Sequence, residues 1–121
     1  MDQKLISVVD DDESVRESLP DLLRSFGFTA QAFASGQDFL ASSALRQTDC
    51  LVLDVAMPGM SGPDLKHELE RRNQSIPIIF ITALNGTVCE NLMKQGAIAC
   101  LHKPFDPFAL INAVNAAMPS S

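Results

Sequence analysis

A chain of 121 residues fits one domain of ordinary size, and 46% hydrophobic against 20% charged residues demands a real core and excludes a disordered segment. A net charge of −6 with no lysine or arginine run argues against direct nucleic-acid binding through a basic patch. Met1-Asp2-Gln3-Lys4 turns polar too soon for a signal peptide, and no apolar run approaches the ~18 residues that span a membrane.

Leu5-Ile6-Ser7-Val8-Val9 reads as a first strand, ending in Asp10-Asp11-Asp12-Glu13. Four consecutive acids repel one another, so their grouping needs a reason. One reason is helix capping by Asp11 or Asp12, with Glu13 at the positive helix end. The other is a cation site, because capping needs only one or two acids.

Val15, Leu19, Leu22, Leu23 and Phe26 recur at helical spacing, and Gly27 stops the helix. Pro20 interrupts this stretch and is expected to kink or divide it. Phe28 to Phe33 is a weaker strand suited to a sheet edge. Ser35-Gly36-Gln37-Asp38 looks like a capping box, opening a helix with Phe39, Leu40 and Ala44 facing inward.

Cys50-Leu51-Val52-Leu53-Asp54 is an uninterrupted apolar run that ends in a carboxylate. Such a run bounded by turn residues marks a strand buried on both faces, as in parallel sheets. Ligands there sit beyond the carboxyl ends of the strands, where Asp54 would lie. A lone Asp after a strand more often just starts a polar loop; the other strand ends decide the matter.

Ser61 caps a third helix, with Pro63 in its first turn and Leu65 and Leu69 inward. His67 sits among Lys66, Glu68, Glu70, Arg71 and Arg72, which makes it a solvated surface residue rather than a ligand. Pro77 to Thr82 is the next buried strand, and Ala83-Leu84-Asn85-Gly86 is a loop. Val88, Leu92 and Met93 mark a fourth helix closed by Gly96. Ile98 to Leu101 is the last strand, running into His102-Lys103-Pro104-Phe105. Asp106-Pro107 opens a final helix whose buried stripe is Phe108, Leu110, Ile111 and Val114. Met118 to Ser121 trails off like the edge of a linker.

Five strands alternating with five helices give an α/β doubly wound parallel sheet, order 2-1-3-4-5, flavodoxin-like. Residues 1–121 then form a single domain. Cys50, Cys89 and Cys100 match no metal spacing and read as reduced, mostly buried thiols of a cytoplasmic protein.

The order brings Asp10, Asp11, Asp54, Thr82 and Lys103 to one crevice. Three carboxylates with room for water suit Mg²⁺, a hard cation that keeps several waters. Asp54 is a candidate nucleophile, since a carboxylate can accept a phosphoryl group. Lys103 would meet a phosphoryl oxygen as a point charge, and Thr82 would hydrogen-bond another.

Val9-Asp10-Asp11, the stretch Asp54 to Gly62, Ile81-Thr82-Ala83 and Lys103-Pro104-Phe105 together carry a specific resemblance. Over nearly its whole length the chain resembles a response-regulator receiver domain of bacterial two-component systems. The wording around Asp54 and Asp10-Asp11-Asp12 looks most like FixJ-type receivers, which usually precede a helix-turn-helix DNA-binding domain. The resemblance implies that Asp54 accepts phosphate from a sensor histidine kinase. It implies that Asp10, Asp11, Asp54 and the main-chain carbonyl of Ala56 hold Mg²⁺, with Mn²⁺ able to substitute. It implies that Thr82 and Lys103 bind the phosphoryl group, and that Lys103-Pro104 is often cis. The activity implied is signalling with assisted self-phosphorylation and dephosphorylation, rather than turnover of a separate substrate. Dimerisation on phosphorylation and transcription regulation through a domain outside this chain follow from the resemblance alone. Partner choice is expected on the first helix and the loop after the fifth strand.

One position departs from the family pattern. Receivers commonly place an aromatic residue three positions before the lysine; here Cys100 stands there. The surface of the fourth helix, fifth strand and fifth helix is therefore expected to switch through Thr82 and backbone movement.

Three rivals stay in view. An FMN-binding flavodoxin would need a phosphate loop where this chain has four acids. A haloacid-dehalogenase-type phosphatase would want Asp-x-Asp, but Ala56 follows Asp54 at that spacing. A receiver-like docking module that works without phosphorylation would need none of the five site residues.

Overall fold

The computed structural model describes residues 3–84 and 86–118. Expectations for Met1, Asp2, Asn85 and residues 119–121 lie outside the described residues. The elements run β1 (Leu5–Val9), α1 (Glu13–Ser25), β2 (Thr29–Phe33), α2 (Gly36–Leu40), β3 (Cys50–Asp54), α3 (Gly62–Arg71), β4 (Ile78–Thr82), α4 (Val88–Lys94), β5 (Ala99–His102) and α5 (Pro107–Ala117). The strands form one parallel sheet in the order β2-β1-β3-β4-β5, the order expected from the alternation.

The three apolar strands are central, and every residue of β1, β3 and β4 is buried. Alternation along each strand divides the core between two faces. Leu51, Leu53 and Phe80 pack with Phe39, Leu65, Leu69 and Leu92, under α2, α3 and α4. Val8, Val52, Ile79 and Ile81 pack with Leu19, Leu23, Leu110 and Val114, under α1 and α5. The polar residue of β1 is Ser7, whose hydroxyl is 2.7 Å from that of Thr48. Thr48 in turn donates to the Ala44 carbonyl, so this buried pair is satisfied.

Several sequence expectations change. Pro20 does not divide α1, which runs unbroken from Glu13 to Ser25 with the proline ring buried. The helix expected to include Ala44 stops at Leu40, and Ala44 lies in a separate 3-10 turn, Ser43–Arg46. Two short local bonds explain the break: Ser42 turns inward to accept from the Ala44 N–H, and Ala41 caps α2. At Ser35 the side chain accepts from the Asp38 N–H; the reciprocal pair forms instead between Ser61 and Asp64. Phe108 is not core: it is 64% exposed. Its ring rests edge-on against Phe26, itself 44% exposed, so the two cover each other instead of entering the sheet packing.

The cysteines also need correction. Cys50 is free and buried, but Cys89 and Cys100 are joined in a disulfide rather than reduced. Packing of α4 over β5 brings their Cα atoms to 5.4 Å, within bridging range. Among the described residues no helix is long and apolar enough to cross a membrane.

Candidate functional site

β1 and β3 are neighbours although α1, β2 and α2 separate them in the chain, so a crevice opens at their carboxyl ends. Asp10 follows β1 and Asp54 ends β3. Asp10 is fully buried and Asp54 is 5% exposed. Asp10, Asp11 and Asp54 each offer an oxygen within 4.8 Å of the others. Asp11 is the exposed member and opens the cluster to solvent.

Each carboxylate is held differently. Asp10 Oδ1 accepts the Asp12 N–H at 2.9 Å, and Oδ2 accepts Lys103 Nζ at 2.8 Å. Arg16 Nη1 donates to the Asp10 carbonyl at 3.0 Å, a positioning contact that the sequence reading missed. Asp12 turns away: its Oδ1 accepts both the N–H and the hydroxyl of Ser14. Those bonds, the hydroxyl first, hold the Asp12 carboxyl below its ordinary value. The acidic run thus serves both readings, with Asp12 as helix cap and Asp10 and Asp11 in the cluster.

Asp54 is the strained charge. Burial, then the Asp10 charge, pushes its carboxyl up to about 6, against the opposing pull of Lys103 at 3.5 Å. Burial alone would pull the Lys103 ammonium down. Its bond to Asp10 and the charges of Asp10 and Asp54 lift it above its ordinary value instead. Lys103 is set by β5, whose pairing includes Lys103 N–H to the Thr82 carbonyl at 2.7 Å, and the next peptide, Lys103-Pro104, is cis.

Thr82 ends β4 and is fully buried. Its hydroxyl oxygen accepts the Leu84 N–H at 2.9 Å, so the side chain is engaged with the following loop. The loop after Asp54 folds back tightly: Val55 N–H bonds the Ile81 carbonyl and Gly62 N–H bonds the Val55 carbonyl. Gly62 is obligatory here, since a Cβ would lie 2.4 Å from the Asp54 carbonyl oxygen. Ala56, in this loop, is exposed.

Three hard oxygen donors, two of them buried, face one ammonium. Burial and then the Asp10 charge raise Asp54, a penalty on its charged form that a divalent cation relieves, so the donor set fits a small oxygen-seeking ion. The structure therefore brings together Asp10, Asp11, Asp54 and Lys103. Cys100 lies lower on β5, and its sulfur is bonded to α4.

Comparison with known proteins shows the family. The family described as response regulator receiver domain matches residues 6–115. Nodulation protein W of Bradyrhizobium diazoefficiens is 47% identical over 115 residues, covering 93% of this chain and 50% of that one. The transcriptional regulatory protein FixJ of Azorhizobium caulinodans is 41% identical over 118 residues, covering 96% and 56%. The chain thus spans about half the length of the curated relatives it matches. Among solved structures, FixJ-N superposes with a TM-score of 0.85 at 35% identity, over 97% of this chain and 94% of that one. The response regulator StyR also gives 0.85, at 45% identity, over 97% and 60%.

Proposed function

The chain belongs to the response-regulator receiver domains of two-component signalling, and from that premise we propose that Asp54 accepts a phosphoryl group from a sensor histidine kinase. The observation that carries this reading is the approach of the Asp10, Asp11 and Asp54 oxygens to within 4.8 Å, with Lys103 directed at Asp10 and Asp54.

An Asp54 oxygen attacks the phosphorus of a phosphohistidine. The P–N bond breaks, a P–O bond forms, and the imidazole leaves with the electron pair. Asp10, Asp11, Asp54 and the Ala56 carbonyl would hold Mg²⁺, with Mn²⁺ as substitute, which supplies neutralisation of phosphoryl charge. Lys103 shifts its ammonium from the carboxylates to a phosphoryl oxygen. Thr82 gives up its bond from Leu84 and donates its hydroxyl to another. That exchange pulls on the segment 83–87 and alters the surface of α4, β5 and α5.

Kinase docking fits the apolar hollow formed by Val15, Leu19, Leu22, Pro104 and Phe105 beside Lys103. Transcription is the proposed output, through a DNA-binding domain outside residues 1–121, in keeping with the greater length of the relatives. Dimerisation on phosphorylation and a cytoplasmic location complete the reading. The domain assists its own phosphorylation and dephosphorylation and turns over no separate substrate.

The test is intact mass after incubation with acetyl phosphate and Mg²⁺. Wild type should gain one phosphoryl group, a chelator added at the start should prevent it, and Asp54→Asn should gain none. Gain by both proteins assigns the acceptor elsewhere. Gain by neither, from acetyl phosphate or a cognate kinase, returns the chain to a docking role.

A further inference from the structure

The cysteine pair sits at the joint between the site and its surface. Cys89 is the second residue of α4 and Cys100 the second of β5. Both are half-buried rather than sealed in the core. Cys50 differs: it is fully buried, and burial pushes its thiol up to about 12. It remains a thiol and does not compete, because the thiolate is the reactive form.

Without the bond, α4 is lightly held. Leu92 is its one buried residue among those described, and Thr87 gives it no side-chain cap. Met93 on the helix, Leu84 before it and Ile98 after it are all more than 40% exposed. Leu84, four residues before α4, donates its N–H to the Thr82 hydroxyl, and Thr82 is the register partner of His102, two residues beyond Cys100. A covalent bridge from α4 to β5 therefore spans the elements that movement at Thr82 would displace.

We propose that Cys89 and Cys100 form a reversible thiol–disulfide modification site, exchanging with glutathione-class disulfides and dithiol reductants, and that oxidation clamps α4 to β5 against displacement from Thr82. The second half rests on the phosphoacceptor reading. In a glutathione-rich compartment such a bond is transient and redox-sensing rather than permanent. In the forward direction one protein thiolate attacks glutathione disulfide, forming a mixed disulfide and releasing one glutathione. The second protein thiolate attacks the protein sulfur and releases the other. The two cysteines lose two electrons and two protons, and glutathione disulfide becomes two thiols. A dithiol reverses the exchange.

The site is tested by equilibrating the native chain across ratios of reduced to oxidised glutathione, quenching with acid, alkylating in denaturant and weighing. Two populations are expected, with three and with one alkyl group, interconverting with the ratio. Cys89→Ser should never form the bond. Three free thiols at every ratio, or one free thiol even in excess dithiothreitol, overturns the site. The clamp is tested by hydrogen exchange over residues 83–102, with and without acetyl phosphate and Mg²⁺. Reduced wild type and Cys89→Ser should show a phosphoryl-dependent change over α4 that the oxidised protein suppresses several-fold. An equal response in both redox forms overturns the clamp. Phosphoryl mass is followed in the same samples, so absence of uptake in every form counts against the phosphoacceptor reading instead. The clamp is then judged on the unphosphorylated protein, where the bond must slow exchange in α4 several-fold relative to Cys89→Ser, and no slowing overturns it.

Discussion

Lys103 Nζ is bonded to Asp10 at 2.8 Å across 93 residues of sequence, and this pair links the carboxyl end of β5 to that of β1 across β3 and β4. The ammonium occupies the electrostatic position that an incoming cation would share. It neutralises part of the carboxylate charge, so it stabilises the cluster and would oppose the entry of a cation.

Lys103→Met should accordingly bind Mg²⁺ more tightly while losing phosphoryl uptake. Removing one competing charge in a partly buried site predicts a tightening on the order of three- to tenfold. Isothermal titration calorimetry measures it, and the absence of Trp and Tyr makes intrinsic fluorescence a poor substitute. Affinity equal to wild type would show that the lysine and the cation do not compete.

Asp54 gives a pH dependence of defined sign. Its folded-state carboxyl titrates near 6, above its ordinary 3.8, so the folded chain binds this proton more tightly than the unfolded chain. The associated stability is fully present below about pH 4 and is lost as pH rises through 6. Asp54→Asn removes the penalty. Without metal it should exceed wild type by roughly 1–3 kcal/mol at pH 7, with the gap narrowing as pH falls toward 4. Urea titrations at several pH values check this, and added Mg²⁺ should shrink the gap. A gap independent of pH would place the penalty elsewhere.

Gly62→Ala tests the packing behind the acceptor. The new Cβ would meet the Asp54 carbonyl at 2.4 Å and the Val55 Cα at 3.1 Å, and both are backbone atoms that cannot swing away. A loss of roughly 2–4 kcal/mol is expected from overpacking, together with slower phosphoryl uptake as the Asp54 backbone shifts. Denaturation and intact mass read the two effects. A neutral variant would show that the 55–61 turn relaxes freely.

Thr82→Ala should separate acceptance from response. The Leu84 N–H loses its side-chain acceptor, at a cost of about 1 kcal/mol. Asp54 should still gain phosphoryl mass, while hydrogen exchange over α4 and β5 should no longer respond. Normal switching in this variant would remove Thr82 from the mechanism.

Most of the architecture was legible because β1, β3 and β4 are sealed on both faces, which writes them as bare apolar runs. Asp10 and Asp54 were legible for the same reason, since a polar residue at the end of such a run is conspicuous, while Lys103 follows the shorter, half-buried run of β5. What stayed hidden depends on contacts between elements. Nothing near Cys89 or Cys100 announces a bridge, because α4 must first lie across β5. Arg16 reaches the Asp10 carbonyl from an ordinary helical position. Phe108 carries core chemistry but finds only Phe26. Pro20 looked disruptive, yet α1 continues through it.

β3 has a neighbour on each side, whereas β5 pairs only with β4 and its residues are half-buried or exposed. Heritable change is therefore unevenly permitted across the molecule. A new side chain on β3 collides with its surroundings and disturbs the placement of Asp54. A new side chain on β5, or on the outer turns of α4, alters only what can be met there. On the proposed reading, a lineage could thus exchange one downstream partner for another while inheriting the chemistry intact.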